Sequence, residues 1–493
     1  MFLLCGNIIA VMEKSPCFTD IHIHPTLKTF NSDHPKPTRG IWEDFEHIKP
    51  TTPAGRFAVN NSKDVAKFSQ TNFYRLIEGN VRVVFVSLYP MEKGFLKLRS
   101  VPKVITGKKG FDEMTAIASG YSASRVRYLM KSDDYFQMLN EEYAFLKAHE
   151  GKSPCGKYEA KIVNTYAELK DIAENKPDTI AIVMSIEGSH VFFNKEMLGG
   201  KLGKREMKEE LKKNIIAVKQ WENPPFVMNL SHHFYNELCG HAKSFNALIG
   251  EGLINQKKGL ESGLTGLGIK AMKEMLSNSN GRRIYIDTKH MSMQGRREYY
   301  NWVRSYNYLN KNDNIPVICT HTGVNGFRTM VGSTMKKDSA AKNNTSAFFN
   351  WSINLSDEEI KIIHDTKGIM GIMLDKTKLG GGKFIREYKL LKTVEEEKDA
   401  AMRVFFENVF QAVKAIGKPD AWNTLTIGSD LDGGINTFEH YDAVNKYPEL
   451  YDDLYSWLNR TQYQKSLWYG LKPEELLNRL FYKNTMLFCE RYL

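Results

Sequence analysis

Histidines and carboxylates recur at one kind of place in this 493-residue sequence, the polar ends of short, β-branched apolar runs. His22 and His24 close FTDIHIH, Glu187 closes TIAIVMSIEG, and His232 and His233 close FVMNLSHH. His290 ends RIYIDTKH, His321 lies in IPVICTHTG, and Asp430 lies in LTIGSDLDG. A lone histidine on a strand is usually a hydrogen-bonded core or surface residue. Six of the 13 histidines at the ends of four runs, with carboxylates on two more, point instead to one shared site. Side chains alternate along a strand, so the two imidazoles of H-x-H project the same way and can grip one ion. Imidazole and carboxylate donors suit Zn²⁺, with Mn²⁺, Fe²⁺ or Co²⁺ as substitutes. Two neutral histidines make an incomplete site, and Glu187 is the natural carboxylate to join them, because a glutamate at a strand end can bridge two ions. His290 and His321 would then complete a second ion. Two metals ~3.5–4 Å apart can acidify a shared water and present hydroxide at neutral pH.

Such a site needs elements that bring the run ends together. The eight runs cover 18–24, 81–90, 179–188, 226–233, 283–290, 315–323, 368–376 and 425–433. Continuous apolar stretches of this length read as strands buried on both faces, the habit of parallel sheets. Helical patterns separate most of them, at 133–150, 165–174, 267–276 and 356–366, the last opening with the capping sequence S-D-E-E. Eight strands alternating with helices predict an α/β (β/α)8 TIM barrel, whose strand ends converge on one mouth. A doubly wound open sheet is the runner-up, but no Gly-rich phosphate loop follows the first strand. Three long excursions, about 29–72, 91–127 and 435–467, read as insertions that build the rim of the site. No linker marks a second unit, so residues 1–493 are expected to form a single barrel domain.

Composition narrows the functional classes. The chain is 42% apolar and 25% charged, so it can bury a large core. No window approaches the ~18 uninterrupted apolar residues of a membrane span. The six cysteines form no C-x-x-C pair, which argues against a disulfide framework or a thiolate zinc site and fits a reducing compartment. The net charge of +11 could serve nucleic acid, but the basic residues are interleaved with acids at helix spacing, as in KREMKEELKK and VEEEKD. No nucleic-acid partner is therefore expected. The apolar start 1–11 has no basic n-region and no cleavage signature, and Met12 could equally be the start. It reads as a short leader or strand of a cytoplasmic protein rather than a signal peptide.

The motifs together resemble one family. Residues 18–25, IEGSH at 186–190, LSHHFYN at 230–236, IDTKHMS at 286–292, CTHTG at 319–323 and IGSDLDG at 427–433 follow one another as in the membrane (renal) dipeptidase family of the amidohydrolase superfamily. YKNTML at 482–487 is similar to that family's closing helix. The resemblance spans most of the chain outside the three excursions. It implies a binuclear zinc barrel that hydrolyses the amide bond of dipeptides with a metal-bridging hydroxide. By position, His22 and His24 would hold the first metal, Glu187 would bridge, and His290 and His321 would hold the second. His232 would polarise the scissile carbonyl, and Asp430 would deliver a proton to the leaving amine. Asn236 would line the substrate, while His190 and Asp432 would stand behind the ligands. A small peptide substrate and a homodimer are compatible with this picture.

Two departures from the family pattern matter. The family has Asp where this chain has His24, so an anionic ligand becomes neutral and the bridging water should be more acidic. The family also has R-N-x-x-D where this chain reads Ile353-Asn354-Leu355-Ser356-Asp357, so the arginine that forks onto the substrate carboxylate is missing. Arg328, Lys336 or Lys337 on the same loop could replace its charge. Other readings keep the site for another amide, an N-acyl amino acid, a lactone or a phosphoester, or make the barrel a non-catalytic metal or ligand binder.

Overall fold

The computed structural model describes residues 17–44, 49–61, 68–96, 103–244, 254–334 and 347–493. The apolar start at 1–11, Lys336 and Lys337 lie outside them.

Ten strands are present among the described residues: β1 (Phe18–Ile23), β2 (Val81–Leu88), β3 (Gly151–Lys152), β4 (Glu159–Ile162), β5 (Thr179–Ile186), β6 (Val227–Asn229), β7 (Tyr285–Asp287), β8 (Ile318–Thr322), β9 (Ile369–Ile372) and β10 (Leu425–Ile427). Eight of them run β1-β2-β5-β6-β7-β8-β9-β10 around the sheet, and neighbours along this path are parallel. These are the eight runs read from the sequence. The loop after β10 brings the two ends together. Ile23 bridges Leu431, the His24 amide donates to the Leu431 carbonyl at 3.1 Å, and the Asp430 amide donates to the His22 carbonyl at 3.0 Å. The result is a nearly closed α/β TIM barrel, as the alternation of strands and helices predicts. All residues of β1, β2 and β5 are buried, as expected of strands covered on both faces.

The helices begin where the sequence gives them caps. Thr165 accepts from the Glu168 amide at the start of Tyr166–Asn175, and Thr393 with Glu396 forms a capping box for Val394–Ile416. Each such cap contributes about 1 kcal/mol. Exposed ion pairs such as Arg205–Glu209 contribute less, so the apolar core dominates. Among the described residues no helix is long and apolar enough to cross a membrane.

Two features differ from the sequence reading. The hairpin of β3 and β4 was not legible, and β4 adds to the first half of β5. Its strands have two and four residues, too short for an alternation to stand out. The excursions are also more regular than loops. The first contains a helix at Pro53–Asn61, the second contains Lys103–Ser119 and the start of Ala123–Lys131, and the third contains Tyr447–Thr461.

Candidate metal centre

The ionisable residues at the strand ends meet at the mouth. Glu187 lies one residue beyond β5, where its amide donates to the Leu88 carbonyl at 2.9 Å. Its Oε1 is 3.1 Å from His290 Nε2 and 3.5 Å from both His22 Nε2 and His321 Nε2. Its Oε2 is 3.3 Å from His24 Nε2 and 3.4 Å from His232 Nε2. The carboxylate thus faces five imidazoles, all of them buried. Burial alone would push its pKa up, but the imidazoles of His232, His22 and His24 hold it well below the usual carboxylate range.

Among the described residues four overlapping donor groups have their donor atoms within 4.8 Å of one another: His22, His24 and Asp430; Glu187, His290 and His321; His22, Asp287 and His321; and His232, His233 and His290. His22 Nε2 is 3.1 Å from His24 Nε2, with Asp430 Oδ1 at 3.5 Å from the latter. His290 Nε2 is likewise 3.1 Å from His321 Nε2. Nitrogens about 2.0–2.1 Å from a shared ion stand about 2.8–3.4 Å apart, from octahedral to tetrahedral geometry. The residues therefore fit divalent metal ions.

The protonation chemistry agrees with this fit. His24 Nδ1 is 3.0 Å from the Ser87 carbonyl, which only accepts, so Nδ1 carries a hydrogen and Nε2 is the atom that can ligate once it gives up its proton. Burial, reinforced by His232 for His290 and by His22 for His321, holds both rings well below the ordinary imidazole range, in the neutral form that ligates. At His24 burial is opposed and outweighed by Asp430 and Glu187, which raise its pKa. A site that draws positive charge onto His24 would also attract a cation.

The backbone is shaped to aim these groups. His290, Asp430 and Asp432 all have left-handed backbones, with φ of 66°, 64° and 64°. A Cβ at Gly433 would lie 2.0 Å from Asp430 Oδ1, so a larger residue there would displace that carboxylate. Gly188, directly after Glu187, has φ of 93°, and a Cβ would meet His190 Nδ1 at 2.6 Å.

His232 differs from the other histidines. Its Nδ1 meets Glu92 Oε2 at 2.6 Å, and Glu92 also accepts from the Phe234 amide at 3.2 Å. Burial disfavours the charged ring, but Glu187 and Glu92 outweigh it and raise the His232 pKa. Glu92 was missed in the sequence, although it lies only four residues past β2. Pro90 ended that run and hid the carboxylate behind it. Asp287, Thr320 and Ser87 were missed too, because they stand behind the ligands: Thr320 and Ser87 meet ring nitrogens of His22, His321 and His24, and Asp287 meets Thr320. His233 sits beside His232 and His290, with ring centroids 4.0 and 4.6 Å away.

Other expected residues lie around the cluster. Asn236 donates to the Leu230 carbonyl at 2.7 Å and accepts from the Leu238 and Cys239 amides, so its amide shapes its own loop. His190 meets the Pro90 carbonyl at 2.8 Å and packs edge-on to Tyr135. Asp432 accepts from Lys28 Nζ at 2.8 Å and from the amides of Gln70 and Thr71, which clamps that segment to the barrel. Arg328 is exposed. Ile353 is buried with Ala242 and Trp351, and Phe349 packs on them. Lys378 Nζ lies 4.6 Å from the Phe349 ring centroid, and Lys243 Nζ 4.9 Å from that of Trp351.

The molecule is a parallel barrel with a buried histidine–carboxylate cluster at its mouth. Among solved structures it is similar to a metallo peptidase from Rhodobacter sphaeroides liganded with a phosphinate mimic of the dipeptide L-Ala-D-Ala. That similarity has 13% identity and a TM-score of 0.50 over 97% of this chain and 100% of the other. Dipeptidase AC, a metallo peptidase of family M19, matches with the same identity and TM-score over 97% and 98%. The chain has the fold of these metallopeptidase barrels. No protein-family model and no curated protein matches it.

Proposed function

We propose that this chain is a binuclear metal-dependent hydrolase of the membrane dipeptidase type, acting on the amide bond of a small peptide. The observation that carries this reading is Glu187, a buried carboxylate whose two oxygens face five Nε2 atoms at 3.1–3.5 Å. His22 and His24 would hold one ion, His290 and His321 the other, and Glu187 both, with Asp430 beside the first. Two divalent ions, most simply Zn²⁺, supply Lewis acidity and an acidified water when bound.

The chain's own residues would do the rest. Glu92 fixes the His232 ring through Nδ1, which leaves Nε2 to donate to the oxygen that gains charge on the scissile carbonyl. Asp430, at the edge of the cluster, would carry a proton to the departing amine. The buried walls keep competing water away.

The first expected result is two transition-metal ions per chain by plasma emission after reconstitution with zinc. Only trace metal would refute the binuclear reading. A library of dipeptides with D- and L-residues at each position then tests for turnover, and its complete absence would favour a non-catalytic binding barrel.

The substrate's far end carries a second prediction. Ile353 offers no donor, and a charge-assisted contact to a carboxylate is worth about 1.5–3 kcal/mol. Without one, a dipeptide and its C-terminal amide should have kcat/KM values within ~10-fold of each other. A preference for the free acid above ~50-fold would show that a cation serves the carboxylate. Lys378, beside Phe349, and Arg328 would then be the residues to replace.

A further inference from the structure

We propose that Thr320, backed by Asp287, is a positioning residue shared by both halves of the cluster, one hydroxyl that fixes the tautomer of His22 and of His321 together. The inference rests on the metal reading above. Thr320 Oγ1 is 2.9 Å from His22 Nδ1 and 3.0 Å from His321 Nδ1, and it donates to Asp287 Oδ2. Asp287 Oδ1 accepts from the amides of Lys289 at 2.9 Å and Thr320 at 3.2 Å. All four side chains are buried, so water does not complete the pattern from outside.

Counting hydrogens decides the direction of each bond. A hydroxyl has one hydrogen and two lone pairs, and a carboxylate only accepts. Asp287 takes the Thr320 hydrogen, which leaves two lone pairs for the two histidines. Each can be met only by an N–H, so His22 and His321 both carry hydrogen on Nδ1 and present bare Nε2 lone pairs. That is the form that binds a metal. His22 belongs to the group with His24 and Asp430, and His321 to the group with Glu187 and His290. Their rings lie 3.9 Å apart. Ser87 Oγ also approaches His22 Nδ1, at 3.3 Å, but it is paired with Ser185 at 2.7 Å. Among the described residues Thr320 is the hydroxyl that reaches both rings. Orientation at the two ions is therefore coupled through one atom, beyond their shared Glu187.

The test is titration of the metal-free protein with chelator-buffered Zn²⁺, with the visible spectrum of the Co²⁺-loaded protein as a second readout. Thr320→Val keeps the shape and removes the hydroxyl. It should weaken both ions together, by ~10–100-fold each, the usual size for a group that orients a ligand. Thr320→Ser should restore the wild-type affinities and Co²⁺ spectrum. Asp287→Asn gives an independent arm. The two backbone amides hold the new side-chain oxygen in place, so its NH₂ faces Thr320 and turns the hydroxyl hydrogen toward a histidine. That ring is then driven to the Nε2–H tautomer, and at least one ion should be lost. Circular dichroism of the metal-free variants checks that each is folded; should the valine variant fail to fold, the serine and asparagine variants decide. A valine variant that binds both ions as wild type does, or weakens only one, overturns the proposal. A wild-type protein that binds no ion in the same titration overturns the metal reading instead.

Discussion

Glu187→Gln is expected to bring the metal content from two ions per chain to below one and to lower kcat/KM by ~10³-fold or more. Glutamine has nearly the same volume, so the mouth keeps its shape, and the loss is chemical. One of the two facing oxygens becomes an NH₂ that points hydrogens at the imidazoles of one flank. The formal negative charge also disappears from a position where five Nε2 atoms converge. Two dications would then rest on neutral imidazoles with Asp430 as a neighbouring carboxylate, and uncompensated buried charge costs several kcal/mol. Metal analysis and activity should fall together. If the variant holds both ions at full occupancy, Glu187 is not the bridge and another acid must be sought.

The second large effect separates chemistry from metal holding. His232→Ala and Asp430→Asn should each lower kcat by ~10²–10⁴-fold, the usual size of an oxyanion or proton-transfer contribution. His232→Ala should keep both ions, because its Nδ1 is held by Glu92 and the flanking ligands remain. Asp430 is the sharper case, since its Oδ1 lies 3.5 Å from His24 Nε2 within a donor group. If Asp430→Asn keeps two ions while kcat falls, it acts as the acid. If the first ion is lost as well, it is a ligand and the proton must come from elsewhere. Unchanged kcat in both variants would leave the mechanism without its acid and its polariser.

The barrel was legible because a parallel strand buried on both faces writes a continuous apolar run, and its functional end writes an abrupt polar one. H-x-H could be read as a shared grip because strand periodicity alone predicts that His22 and His24 face the same way. The groups behind the ligands left no comparable mark. Glu92 meets His232 across 140 residues, and Thr320 meets His22 across 298. Nothing local to either residue announces its partner. The β3–β4 hairpin was hidden for a different reason, since its strands are too short for periodicity to register. The role of Arg328 was a matter of charge counting, and the sequence had no means of showing its exposure.

The left-handed backbones at His290, Asp430 and Asp432 also bear on how the chain can change. A non-glycine residue there costs on the order of 1–3 kcal/mol against an unstrained alternative. Three such residues at one rim are a sizeable fraction of the about 5–15 kcal/mol that separates a folded domain from its unfolded ensemble. Glycine at His290 or Asp430 would relax the chain and remove the side chain that the bend exists to aim. Selection for heat resistance alone would therefore push His290 and Asp430 toward glycine, and selection for the cluster would push back, whereas Asp432 is held in place by its own clamp on Lys28, Gln70 and Thr71. The barrel mouth is where the two pressures oppose one another, and stabilising substitutions should accumulate at its other end.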